Sequence, residues 1–115
     1  MTANESKLPN AERAVVEIEK LLSYSLNPEH EVGKHKAIVF KAALGVTPDD
    51  AAWLRETILR EVVGAPAVPG PPSVYGEKYA VDIEVTKGGR RAVVRTTWIV
   101  EYGTDFPRMT SCYVK

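Results

Sequence analysis

The sequence predicts an α+β domain: about three N-terminal helices packed on one face of a C-terminal antiparallel sheet of three or four strands. Three observations lead there. Apolar residues recur at helical spacing up to Val63, they alternate with period two from Tyr79 onward, and a Pro/Gly-rich stretch separates the two regimes.

The first helical pattern follows "LPNAERAVVEIEKLLSYSLN". A short extended lead-in over Ala14 to Val16 precedes a helix that carries Ile18, Leu21, Leu22 and Leu26. "NPEHEVG" breaks it. A second helix is expected from about Lys34 to Leu44, with Gly45 closing it as a left-handed cap. Its apolar residues Ala37, Ile38, Val39, Phe40, Ala42, Ala43 and Leu44 cover most of the circumference and leave Lys34 and Lys41 as a polar stripe, so it is expected to be buried. The third helix opens on Thr47-Pro48-Asp49-Asp50, where an N-cap hydroxyl, a proline in the first turn and two acids coincide. It runs to Val63 with Ala51, Leu54, Ile58 and Val62 on one stripe, and Gly64 ends it.

"GAPAVPGPPSV", residues 64–74, holds four prolines and two glycines, which excludes helix and central strand and makes a connector. The strands follow. Tyr79, Val81, Ile83 and Val85 alternate with Ala80, Asp82, Glu84 and Thr86, as in a strand with one face buried. The glycine pair in "TKGGRR" suits a tight hairpin. In "AVVRTTWIVEY", Ala92, Val94, Thr96, Trp98 and Val100 share one face, and Val93, Arg95, Thr97, Ile99 and Glu101 the other. After "GTDFP" comes a last strand, Arg108 to Val114, whose alternation sends Thr110, Cys112 and Val114 one way and Met109, Ser111 and Tyr113 the other.

Residues 1–115 form one domain by size, with 1–10 expected as a flexible N-terminus. Fifteen basic side chains balance 15 acidic ones, so no overall field draws the chain to nucleic acid or an anionic membrane. No apolar run reaches the roughly 20 residues of a membrane span, and the start "MTANESKLPNAER" lacks the apolar core of a secretory signal. A cytoplasmic location, with no membrane partner, is expected. Cys112 is the single cysteine, so an internal disulfide is excluded and a small buried apolar role fits it.

Candidate chemistry gathers at "NPEHEVGKHKAIVF". Lys34, His35 and Lys36 fall in the first turn of the second helix, against the positive end of its macrodipole, a conflict that an anion would relieve. Gly33 would let such an anion approach the free amides. The competing reading is a solvated Lys34, a His35 packed on Val39 and Ala42, and a Lys36 paired with Glu29 or Glu31. His30 follows Pro28 in a turn, where histidine is usually idle, and no third ligand at suitable spacing joins His30 and His35 in a metal site. On the strands, Arg95, Thr97, Asp82 and Glu84 would line one exposed face, either as a phosphodiester site or as cross-strand charge pairs.

The blocks "LPNAERAV", "LLSYSLNPEHEVGKHKAIVFKAALG", "YGEKYAVDIEV" and "AVVRTTWIVEYGTDFPRMTSCYV" together resemble a family of uncharacterised bacterial domains, found as small proteins and at the C-termini of polymorphic toxins and phage-head-like proteins. N-P-x-H-x-V-G-x-H-K is the most specific part of the likeness. More distantly, the element order resembles the ribonuclease fold shared by barnase, EndoU, colicin and RelE-like toxins. That resemblance implies a metal-independent ribonuclease of toxin type. His35 would be general acid or base, Lys34 or Lys36 and Arg95 would hold the scissile phosphate, and Thr97, Thr110 or Tyr113 would position it. RNA would be the substrate, an acidic neutralising protein the partner, and no cofactor would be needed. The alternative is a non-catalytic protein-interaction module. Oligomeric state is not written in the sequence.

Overall fold

The structure, a computed structural model, describes residues 6–115. Of the stretch expected to be flexible, residues 1–5 lie outside the described residues. Residues 6–10 are tied down: Lys7 bridges to Pro66, the Ala67 amide donates to the Ser6 carbonyl at 2.8 Å, and Leu8 is buried.

A single 3-10 turn, Ala11–Arg13, leads to an extended segment and then to α1, Ile18–Lys20, which continues as a π-helical turn over Leu21–Ser25. The Leu26 amide closes that turn on the Leu21 carbonyl at 2.9 Å, five residues back. α2 spans Lys34–Leu44 and stops at Gly45, whose φ of 69° is the left-handed cap the sequence implies. A 3-10 turn over Pro48–Asp50 feeds α3, Ala51–Glu61, and the Asp50 carboxylate accepts the Thr47 amide at 3.0 Å.

The sheet has four antiparallel strands in sequence order: β1, Ala67–Pro69; β2, Gly76–Lys87; β3, Arg90–Glu101; β4, Arg108–Val114. β1 lies inside the proline-rich connector and sits at the sheet edge, where a strand tolerates proline. Gly88 and Gly89, at φ 56° and 84°, make the two-residue hairpin between β2 and β3.

The three helices cover one face of this sheet. Val81, Ile83 and Val85 of β2, Val94 and Trp98 of β3, and Met109 and Cys112 of β4 meet Phe40, Leu44, Leu54 and Ile58 from the helices in one core. Two polar groups enter it satisfied: Trp98 Nε1–H donates to Thr96 Oγ1 at 2.8 Å, and Thr96 Oγ1 donates to the Val81 carbonyl at 2.7 Å. Among the described residues no helix is long and apolar enough to cross a membrane.

Two expectations are corrected. α2 is not buried all round: Ala37, Phe40 and Leu44 form its one buried stripe, whereas Ile38 and Val39 are 57% and 42% exposed. One sheet face accommodates about one helical stripe, and among the described residues no second layer covers the other side of α2. β4 also does not alternate strictly. Trp98 pairs with Met109 and Thr97 with Ser111, so Thr110 is an extra, bulged residue, and Met109 and Cys112 both reach the core.

Candidate functional site

The site grows from three local irregularities. The π turn of α1 presents Tyr24 beside the loop before α2. In that loop, the Asn27 side-chain oxygen accepts the Glu29 amide at 2.9 Å and shapes the turn around Pro28. His30 then organises the start of α2. Its Nδ1 accepts the Val32 amide at 3.0 Å and the Gly33 amide at 2.9 Å, and its carbonyl accepts the Lys34 amide at 2.9 Å. Three consecutive amides are thereby satisfied by one residue, and the last two of these, Gly33 and Lys34, open the turn where an anion was expected to sit. Gly33 is required for a different reason from the one its position suggests: a Cβ there would collide with the Tyr24 carbonyl. The His30 and Tyr24 rings meet edge to face, 4.9 Å apart and inclined at 76°.

One turn into α2, Lys36 reaches the free edge of β4. Its ammonium donates to Ser111 Oγ at 2.9 Å and to the Tyr24 hydroxyl at 3.4 Å. It also lies 4.8 Å from the centre of the Tyr24 ring and 5.5 Å from that of Tyr113. Each such cation–ring contact contributes about 0.5–1 kcal/mol at a partly exposed site. The glutamates proposed as its partners, Glu29 and Glu31, do not pair with it. Among the described residues no carboxylate pairs with this half-buried ammonium, whose partners are hydroxyls and rings.

Two hollows lie near this cation, which lines only the smaller of them. The larger, of about 490 Å³, is lined by Glu17, Glu19, Lys20, Tyr24, His30 and Thr110, among others. The smaller, of about 290 Å³, is lined by His35, Lys36, Val39, Tyr113 and Val114. The β4 bulge places Thr110 in the larger hollow while its hydroxyl meets Thr97 Oγ1 at 2.7 Å. Thr97 Oγ1 also donates to the Ser111 carbonyl at 3.3 Å, which ties the bulge to β3.

Of the residues singled out in the sequence, the fold therefore gathers Lys36, His35 and Tyr113 around one hollow and joins Thr97 to Thr110 at the edge of the other. Lys34 is exposed and lines neither hollow. Arg95 sits opposite Tyr113 across β3 and β4, but its guanidinium fork is filled by Asp82, with Nε–Oδ1 at 2.8 Å and Nη2–Oδ2 at 3.1 Å. Lys115 adds a third contact to Asp82 at 2.9 Å. The Arg95 hydrogen bond, assisted by Lys115, holds the Asp82 carboxyl down at about 2, and Asp82 in turn pushes the Arg95 guanidinium further up. Arg95 and Asp82 line a separate hollow on the open sheet face with Pro66, Val68 and Ala80.

Tyr24, Ser111, His30, Glu17 and Glu19 are the residues that the sequence reading left out of the site. Glu17 is paired with Arg108 at 3.2 Å, and Glu19 accepts the Ser23 hydroxyl at 3.0 Å. For His30 a signal was present: imidazole two and three residues before free helix-start amides is a capping spacing. For Tyr24 there was none, because nothing in "LLSYS" announces a π turn. Among the described residues, no group of three or more His, Cys, Asp and Glu side chains is placed to hold a metal ion.

Comparison with known families gives a match over residues 7–115 to a domain of unknown function, DUF6883. The chain belongs to the DUF6883 family. No curated protein and no solved structure matches it. The DUF6883 match spans the π turn, the His30 loop, α2 and β4 alike, so every element that builds the Lys36 corner is part of the family's domain.

Proposed function

We propose that this DUF6883 domain is a metal-independent ribonuclease that works at the Lys36 corner. The observation that carries the reading is the Lys36 ammonium itself. It is fixed by Ser111 and Tyr24, faced by two tyrosine rings, and lines one hollow with His35, while its partner Tyr24 lines a second with His30. Two of its three protons are engaged, and the third is free to hold a phosphate oxygen. Tyrosine faces beside a cation also suit unstacked RNA bases.

In-line attack of the 2′-OH needs a base and an acid on opposite sides of phosphorus. His35 lines one hollow with Lys36, and Tyr24 contacts Lys36 and lines the other, so the two would serve as base and acid. His35 takes the 2′-OH proton as O2′ bonds to phosphorus. Tyr24, which accepts from Lys36 and so keeps its own O–H to give, protonates O5′ as the P–O5′ bond breaks. Lys36 balances the charge gathering on the phosphorane oxygens. Thr97, Thr110 and Tyr113 position the chain, Lys34 adds charge at the rim, and Arg95 steadies Tyr113 from the neighbouring strand.

Inducible expression of wild type and His35→Ala in a bacterial host, scored for growth and total RNA integrity, tests this. Growth arrest with RNA degradation, lost in the variant by about 10²–10⁴-fold in rate, supports it.

A second reading has its own observation. The exposed apolar side of α2, with Ile38, Val39 and Ala42 among Lys34, Lys41 and Arg90, suits an acidic protein partner with an apolar centre. Intact RNA in both strains would leave this interaction module as the function. Under the first reading, the same surface is where an acidic neutralising protein would dock.

A further inference from the structure

We infer that His30 is a fixed hydrogen-bond donor to a phosphate oxygen bound in the larger hollow, and that it does not transfer protons. This rests on the reading of Lys36 as a phosphate-holding cation. The ring's Nδ1 accepts two backbone amides at once, from Val32 and Gly33. An imidazole nitrogen that accepts carries no hydrogen, so the ring proton is on Nε2. Nε2 has no hydrogen-bond partner among the described residues, and the ring lines the hollow of about 490 Å³ beside Tyr24 and Thr110. Ring orientation is set on its other side as well, by the edge-to-face contact with Tyr24.

Such a ring is a poor relay. Protonating Nδ1 would point a third donor at two donors and release the start of α2. Removing the Nε2 proton would create an imidazolate. What remains is a neutral N–H held in place before the ligand arrives, which strengthens as negative charge develops on an oxygen opposite it. The charged groups around it fit an anion on the Tyr24 side of the hollow, where the Tyr24 hydroxyl accepts from Lys36 at 3.4 Å. Glu17 is paired with Arg108, which it shares with Glu101, Lys20 stands beside Glu19, and Glu19 is available to accept a sugar hydroxyl rather than to face the phosphate. Division of labour follows: the exposed His35 moves protons, and the capped His30 holds charge.

The test uses the full chain labelled with ¹⁵N and inorganic phosphate as the probe. Long-range ¹H–¹⁵N spectra should show His30 Nδ1 as an unprotonated acceptor and Nε2 as protonated, and phosphate should move the Nε2–H resonance. His30→Asn supplies a side-chain oxygen for the same amides. It should fold, and bind phosphate about tenfold more weakly, as expected for one lost hydrogen bond to a charged group. A proton on Nδ1, an Nε2–H signal indifferent to phosphate, or undiminished phosphate affinity in His30→Asn overturns the assignment. Cleavage is read separately. Wild type that leaves RNA intact while His30 still responds to phosphate defeats the ribonuclease reading and leaves the donor standing. Where RNA is cleaved, His30→Asn should lower kcat/KM by about 10²–10³-fold with the shape of the pH–rate profile unchanged, and a changed profile would return His30 to proton transfer.

Discussion

Lys36 Nζ and Ser111 Oγ, 75 positions apart in the chain, lie 2.9 Å from each other across the gap between α2 and the edge of β4. This bond joins the helical half of the domain to the last strand, and it does so where a cation, two tyrosines and a hollow meet.

Lys36→Met should therefore separate function from fold. Methionine keeps the length and the apolar stem, so urea denaturation should show a loss of no more than about 1 kcal/mol, in line with a partly exposed polar contact. RNA cleavage and phosphate binding should fall at least tenfold. Equal activity in the two proteins would remove the ammonium from the site.

Asp82 gives a pH signature. Its folded carboxyl is held at about 2, chiefly by the Arg95 hydrogen bond, below the ordinary value of an unfolded chain. A carboxyl lowered in this way contributes stability that is fully present above its unfolded value and is lost as pH falls through the folded one. With Arg95 and Asp82 each about a third exposed, solvent screening leaves about 1 kcal/mol. Wild type should exceed Asp82→Asn by about that much at pH 7, and the gap should close between about pH 4 and pH 2. Thermal melts of both proteins across that range check the sign.

The two sides of α2 should respond oppositely to substitution. Phe40 is wholly buried, and Phe40→Ala should cost about 3–5 kcal/mol. Ile38→Glu, on the exposed side, should stay within about 0.5 kcal/mol in the isolated chain. A large loss at Ile38 would mean that the helix packs against something on that side even without a partner.

Cys112 should be silent in the folded protein. Burial pushes its thiol up to about 11, so little thiolate forms near neutral pH. A colourimetric disulfide reagent should react with it at the rate of unfolding, and promptly in concentrated urea. Fast labelling under native conditions would show that the β4 edge opens readily.

Where the chain announces its own boundaries, the sequence was legible. Lys34 and Gly45 delimit α2 as expected because a glycine cap is a local signal, and the Gly88–Gly89 hairpin is equally local. Faces were harder. α2 is apolar nearly all round, and composition cannot say how many of its sides find a neighbour. The bulge at Thr110 depends on how Met109 and Trp98 pack in the core, and an extra residue leaves no mark on an alternating pattern. The convergence of Tyr24, Lys36 and Tyr113 is tertiary, so the sequence supplied two of these residues and their meeting point belongs to the fold. Arg95 shows the converse: its chemistry was visible, whereas its engagement by Asp82 was one of two readings the strand pattern allowed.

The π turn makes this corner sensitive to chain length. Helices that carry one residue more than an α-helical turn needs can lose it and become regular. A deletion between Leu21 and Leu26 would tidy the backbone into regular helix. It would also swing every later side chain of that helix by about 100°, turning Tyr24 away from Lys36 and depriving Gly33 of the carbonyl it packs against. Homologous chains that keep the corner in use should thus hold the number of residues here fixed and keep Tyr24, with variation confined to exposed positions such as Leu22 and Ser23.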